Sequence, residues 1–230
     1  MANLTGSQRA RYVRSMFSRI ARHYDLLNRL MTGGMDTRWR KETVQRAQLF
    51  PGARLLDLGC GTGDLAREAR QQQPQAQIVA ADFTLPMMLA GKGRGPLDWS
   101  AADALRLPFP DATFDAIISG FLMRNVGDLP GALSEQVRAL KPQGWLVILE
   151  TTRPTRNLLW PFIWLHLHIG IPLLGRLVAR QGSAYTYLRA STEAFLPAEE
   201  LAEQMQRAGL SEVGFERRMF GTIAIHWGKK

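Results

Sequence analysis

"LLDLGCGTGDLA", residues 55–66, sets an apolar run against three alternating glycines and then a helical pattern. A strand, a tight turn and a helix fit that order. Glycine lets the backbone turn sharply and lets a ligand approach without a Cβ in the way. Outward from it, "QIVAAD" (77–82), "FDAIISGF" (114–121) and "WLVILE" (145–150) are further strand candidates. Helical stretches lie between them, such as "GDLAREARQQ" (63–72) and "LPGALSEQVRAL" (129–140). Strands alternating with helices at this spacing predict an α/β fold, with a doubly wound, mostly parallel sheet covered on both faces. "AEELAEQMQRAG" (198–209) reads as another helix, and "GTIAIHWGKK" (221–230) as a last strand.

The ligand class follows from the carboxylates. A dinucleotide fingerprint is G-x-G-x-x-G, with a pyrophosphate on the helix N-terminus. Here the spacing is G-x-G-x-G and Asp64 opens the helix, where its charge would repel a pyrophosphate. The zwitterionic amino-acid end of S-adenosylmethionine is tolerated there. Asp57 stands beside the turn, Asp82 ends the second strand at ribose-binding distance, and Asp103 follows in position to accept from an adenine amino group. Taken singly, Asp82 and Asp103 read as loop caps, and their joint spacing favours the ligand instead.

Composition limits the alternatives. The chain has 230 residues and a net charge of +9. Residues 1–46 hold ten basic against three acidic residues, and 153–189 hold five basic and none acidic, while 47–152 is slightly acidic. Basic attachments of this kind suit nucleic acid, lipid headgroups or simply a solvated helix face. The aromatics of 160–164 have no basic neighbour, which favours lipid over RNA. One cysteine, Cys60, excludes an internal disulfide and fits a reducing compartment. The N-terminal residues lack the apolar core of a signal peptide, so a cytoplasmic chain is expected, at most peripheral on the inner face of the membrane. Residues 157–175 carry no Asp, Glu, Lys or Arg, but Pro161, Gly170, Pro172 and two histidines argue against a spanning helix. They read as an apolar lid over the site, as a bilayer-surface patch, or as a buried helix pair. Residues 7–31 read as one amphipathic helix stopped by "TGGM" (32–35).

"LDLGCGTGDLA", "ADFTLPMM" and "DALRLPFPDATFDAIIS" resemble the class I S-adenosylmethionine-dependent methyltransferases. "MFSRIARHYDLLNRLMTGGMDTRWR" (16–40), "FLMRNVGDLPGALSEQVRALKPQGWLVILE" (121–150), "YTYLRAST" (185–192) and "IAIHWGKK" (223–230) narrow the resemblance to the ubiquinone/menaquinone biosynthesis C-methyltransferases, the UbiE/MenG type. That resemblance implies a seven-stranded Rossmann-like sheet with a reversed last hairpin. It implies S-adenosylmethionine as cofactor and methylation of a ring carbon on a polyprenylated hydroquinone. An S-adenosylmethionine-dependent enzyme acting on RNA or another small molecule, and a non-catalytic S-adenosylmethionine-binding subunit, are the alternatives.

The division expected is an N-terminal helical cap over 1–46, the cofactor-binding core over 47–152, an apolar and basic lid over 153–192, and the end of the same core over 193–230. The expected cofactor set is Asp57, Gly59, Gly61, Thr62, Gly63, Asp82, Phe83, Asp103, Ala104 and Gly120. Arg124, Asn125 and Tyr24 are the catalytic candidates. A fixed cation beside a hydroquinone oxygen favours the anion, whose ring carbon is the better nucleophile. For Arg124 the structural alternative is an ion pair with Asp25 or Asp128. Asn28, Leu122, Met123, Tyr185 and Tyr187 are expected near the acceptor. Asp25, Asp36, His166, His168 or a water could take the ring proton, whereas His226 reads as a packing residue. No metal and no nucleic acid are expected, an anionic membrane surface is, and a homo-oligomer is left open. The chain departs from the family pattern at Gly120, Leu122, Asp36 and Gln143, and Leu122 and Asp36 bear on which quinone fits.

Overall fold

The computed structural model describes residues 6–21, 23–153, 187 and 190–230. The lid expected over 153–192 lies almost entirely outside these residues, as do Tyr185, His166 and His168.

Seven strands form one sheet: β1 (Arg54–Leu58), β2 (Gln77–Asp82), β3 (Asp98–Ala101), β4 (Phe114–Gly120), β5 (Leu140–Thr151), β6 (Ser211–Arg218) and β7 (Ile223–Lys229). Their order is β3-β2-β1-β4-β5-β7-β6. The pairs from β3 to β5 are parallel, while β7 runs antiparallel to both β5 and β6. The helices are α1 (Gly6–Ile20), α2 (Tyr24–Met31), α3 (Met35–Arg46), α4 (Asp64–Gln72), α5 (Leu85–Gly91), α6 (Leu129–Ala139) and α7 (Ala198–Arg207).

The central strands are buried on both faces, and their period of two sorts side chains between two cores. Leu56, Leu58 and Ile117 point to one, with Leu133 of α6 and Leu201 of α7. Leu55, Ala116 and Ile118 point to the other, with Trp39 of α3 and Leu65 of α4. Each Leu or Ile so buried contributes roughly 1.5–3 kcal/mol.

The single helix expected over 7–31 is two: α1 ends at Ile20, whose carbonyl accepts from the His23 amide, and α2 starts at Tyr24. The turn at Thr32–Gly34 does stop α2, with Gly33 and Gly34 at positive φ. Met16, Ile20 and Leu27 gather with Tyr187 in a separate small cluster. The N-terminal attachment therefore divides: α1 and α2 build their own cluster, and α3 packs on the sheet.

β6, β3 and α5 fall outside the strand and helix stretches read in the sequence. β6 alternates weakly because it is a half-buried edge strand bearing Glu212, Glu216, Arg217 and Arg218. β3 is short, and α5 is only seven residues long. In the turn inside β5, Gln143 holds φ at +67°, and a Cβ on Gly144 would meet the Lys141 carbonyl at 2.9 Å. Gly144 is thus required, while Gln143 carries the backbone strain of a side chain in the left-handed region.

Candidate active site

Asp57 is the fourth residue of β1 and is fully buried. The Ala66 amide of α4 donates to its Oδ2 (2.9 Å), and its Oδ1 has no partner among the described residues. Burial pushes this carboxyl up to about 7, with Asp82 and Asp64 adding to the rise. The glycine turn follows. A Cβ on Gly59, at φ +68°, would lie 2.9 Å from Leu122 Cδ1, and one on Gly61 would lie 3.2 Å from Met87 Cε.

Asp82, at the end of β2, ties this turn down. The Gly61 amide donates to its Oδ2 (2.8 Å) and the Thr84 amide to its Oδ1 (2.6 Å). Burial raises its pKa, although these amides oppose the rise. Asp103 accepts from the Leu105 amide (2.9 Å) in its own turn. Both therefore cap loops as Asp commonly does, and both also line the cavity described next.

A cavity of about 560 Å³ opens beyond the carboxyl ends of β1, β2 and β4, under α1. It joins Tyr24, Asp57, Asp82, Asp103, Gly120 and Asn125. Gly59, Gly61, Thr62, Phe83, Ala104 and Leu122 from the expected set also line it. Gly63, Asn28, Met123, Arg124 and Tyr187 do not. Met123 is buried in the core beneath the β4 end, where the Gln136 amide group approaches its sulfur at 3.7 Å.

Arg124 follows β4 in a 3₁₀ turn, Met123–Asn125, and is 5% exposed. Its guanidinium pairs with Glu150, which is fully buried, and its own amide reaches Glu150 Oε2 at 3.2 Å. The partner is neither Asp25 nor Asp128. Asp25 pairs with Arg94 and accepts from the Thr62 hydroxyl (2.8 Å), while Asp128 caps α6 through the Gly131 amide. The reason lies in the sheet: β5 runs parallel to β4 with Gly120 opposite Leu149, so Glu150 arrives beside the turn. A buried guanidinium without a carboxylate there would be costly.

The neighbouring Asn125 donates to the Phe121 carbonyl (2.9 Å) and accepts from the Tyr187 hydroxyl (3.2 Å). Tyr187 packs against Tyr12 at 5.3 Å between ring centres. Tyr24 reaches the cavity from the start of α2, and burial raises its phenol against the opposing field of Arg124. Phe121, at φ +59°, lets the chain leave β4 and turn over the cavity.

Among the described candidates for the ring proton, only Asp25 lines the cavity. Asp36 is buried against Arg40 and Thr32. His226 lies in the sheet, 3.0 Å from the Ala198 carbonyl, and burial pushes it down to about 4. Burial pushes the Cys60 thiol well up, away from the reactive thiolate. Two further residues of the site, Glu150 and Arg40, are not in the expected set. Glu150 ends "WLVILE", a carboxylate at the tip of a buried strand. Arg40 stands four residues after Asp36, a spacing that puts both on one helix face.

The unpartnered Asp57 oxygen suits an ammonium, and the turn beside it runs through the positive φ of Gly59, Gly61 and Gly63, which side chains rarely adopt. The carboxylates at the ends of β1 and β2 suit a nucleoside joined to an amino acid. These residues fit S-adenosylmethionine, and with this strand order they define a class I S-adenosylmethionine-dependent methyltransferase. Solved structures share the fold. The cyclase SpnF superposes with a TM-score of 0.68 at 20% identity, over 95% of this chain and 94% of its own. An S-adenosylmethionine-dependent methyltransferase of Thermotoga maritima gives 0.64 at 21%, over 94% and 99%.

The chain matches the ubiE/COQ5 methyltransferase family over residues 4–230, and it belongs to that family. A ubiquinone/menaquinone biosynthesis C-methyltransferase UbiE of Desulfotalea psychrophila is 45% identical over 95% of this chain and 90% of its own length. Demethylmenaquinone methyltransferases of Roseiflexus castenholzii and Thermus thermophilus are 43% and 41% identical, over 97% and 94% of this chain and 95% and 100% of their own.

Proposed function

We propose that this enzyme methylates a ring carbon of a polyprenylated naphthohydroquinone, converting a demethylmenaquinol to a menaquinol. The observation that carries this reading is the single cavity joining the carboxylate and glycine wall to Tyr24 and Asn125, in a chain of this family. Family membership sets the RNA and binding-subunit readings aside.

Bound there, S-adenosylmethionine supplies an electrophilic sulfonium methyl. Asp57 Oδ1 would accept from the cofactor's ammonium, Asp82 from the ribose hydroxyls and Asp103 from the adenine. Tyr24 and Asn125 face the same space and would hold the acceptor ring against the donor, since alignment carries much of the rate of such a transfer. Arg124 acts through its field from behind this wall. Paired with Glu150, it holds the turn that presents Asn125, and its charge favours an anion near Tyr24. Asp25 would take the ring proton, directly or through water. The basic N-terminal attachment and the apolar segment 157–175 support docking of a lipid-tailed substrate at an anionic membrane surface. Among the described residues, no helix is long and apolar enough to cross a membrane.

Purified enzyme with methyl-labelled S-adenosylmethionine and a short-chain demethylmenaquinol should give a product carrying the label on carbon. The oxidised quinone should give none, because it is too electron-poor to attack. Faster turnover of a benzohydroquinone would move the assignment to the ubiquinone branch. Label on oxygen, or none with either ring, would overturn the reading.

A further inference from the structure

The turn that presents Asn125 is gripped from the sheet side by Glu150. A second grip comes from α1. This helix lies over the cavity, which its Gly6, Ala10, Val13 and Phe17 line. At its start it touches the chain just past the turn: a Cβ on Gly127 would lie 3.5 Å from the Gly6 backbone. Further along, the Arg14 guanidinium rests 5.5 Å from the centre of the Phe83 ring, just past β2. The helix therefore spans the cavity from the acceptor end to the donor end.

Arg9 fixes the acceptor end of this span. Its Nη2 donates to the Arg124 carbonyl, 115 residues away. In the same turn the Leu122 and Met123 carbonyls accept from the Asn125 and Val126 amides, at 2.8 and 3.4 Å. The Arg124 carbonyl is held by a side chain instead. The same guanidinium lies beside the Tyr187 hydroxyl: burial raises that phenol, and the Arg9 charge opposes the rise. Tyr187 in turn donates to Asn125 (3.2 Å). Tyr12, three residues after Arg9 on the same helix face, packs on the Tyr187 ring. A guanidinium suits this junction because its planar fork carries five N–H donors and can serve two acceptors at once. Arg9 does not line the cavity, so it acts through these groups.

We infer that Arg9 is a positioning residue for the methyl transfer: with α1 seated over the cavity, its guanidinium locks the Arg124 turn to Tyr187 and so sets Asn125 against the acceptor ring. One contact then both closes the roof and orders the acceptor end. The inference rests on the reading of this cavity as a methyl-transfer site, and the test separates the two.

Three measurements on the full chain test it: turnover of a short-chain demethylmenaquinol, calorimetry with S-adenosylhomocysteine (the donor without its methyl), and amide hydrogen exchange. Arg9→Gln should lower kcat about tenfold, the low end for a lost charge-assisted bond, and leave the affinity for S-adenosylhomocysteine within about twofold. The amides of 122–126 should exchange about tenfold faster, with those of β1 and β4 unchanged. Arg9→Lys should restore most of both effects. Arg19→Gln, which removes an α1 charge bonded to Ser15, should produce neither. An unchanged kcat, or a fall that lysine does not rescue, would overturn the inference. So would exchange rising alike through β1 and β4, because Arg9 would then only support the fold, or an affinity for S-adenosylhomocysteine that falls in step with kcat. Wild-type protein that methylates no hydroquinone would instead overturn the proposed function, and exchange at the turn would still decide whether Arg9 holds it.

Discussion

The two ends of the cavity are built on different principles. At the donor end, carboxylates are held by backbone amides: Asp57 by Ala66 of α4, Asp82 by Gly61 and Thr84, Asp103 by Leu105. At the acceptor end, side chains are held by other side chains from distant parts of the chain. Arg124 is paired with Glu150, and Asn125 is bonded by Tyr187. A backbone-held group depends on the path of the chain, so it tolerates change at neighbouring side chains. A side-chain network fails when one member is lost, because the partner is then buried without its bond.

That contrast can be broken most directly at Arg124. Arg124→Ala leaves Glu150 buried and unpaired, and should cost about 3–5 kcal/mol in urea denaturation, with turnover falling as well. The double change Arg124→Met with Glu150→Leu should recover most of that stability and not the turnover. Recovery of both would remove the cation from the chemistry and leave the acceptor end purely structural.

A smaller effect is expected at Asp57, and it is one of pH. Its ordinary value of 3.8 is raised to about 7 in the fold. The folded state therefore holds a proton that the unfolded state has released. The stability this gives the unliganded protein is full below about pH 4 and is lost as pH rises toward 7. Donor binding runs the other way, because an ammonium wants the ionised form. The affinity for S-adenosylhomocysteine should rise about tenfold per pH unit below 7 and then level off. Asp57→Asn should bind more weakly, with a flat profile in both measurements. An unaltered profile would show that another group titrates.

The smallest effect sharpens the acceptor side. Tyr187→Phe removes one hydrogen bond to Asn125 and should cost about 1 kcal/mol. KM for the hydroquinone should rise a few-fold while donor affinity stays unchanged. A change in donor affinity instead would join the two ends into one network.

The same contrast explains what could be read in advance. The donor end was legible because each of its parts is local: a glycine turn after an apolar strand, and an aspartate closing the next. The strand candidates of the core were legible for the same reason, since burial on both faces writes continuous apolar runs. β6 was not, because an edge strand needs no such run and carries Glu216, Arg217 and Arg218. The break between α1 and α2 was hidden because apolar residues keep their helical spacing across it. The acceptor residues were legible as residue types, through resemblance, but their partners were not. Arg124 meets a carboxylate 26 residues away, and Asn125 a tyrosine 62 residues away. Only the alignment of β4 with β5, and the packing of residue 187 against α1, bring those groups together.

The unpaired oxygen of Asp57 has a thermodynamic consequence. Below neutrality the empty cleft keeps a proton there, and capturing the methyl donor expels it to the solvent. The heat of cofactor binding must then include the ionisation enthalpy of whatever buffer accepts that proton, so occupancy of this enzyme is linked to the acidity around it as well as to the supply of its donor.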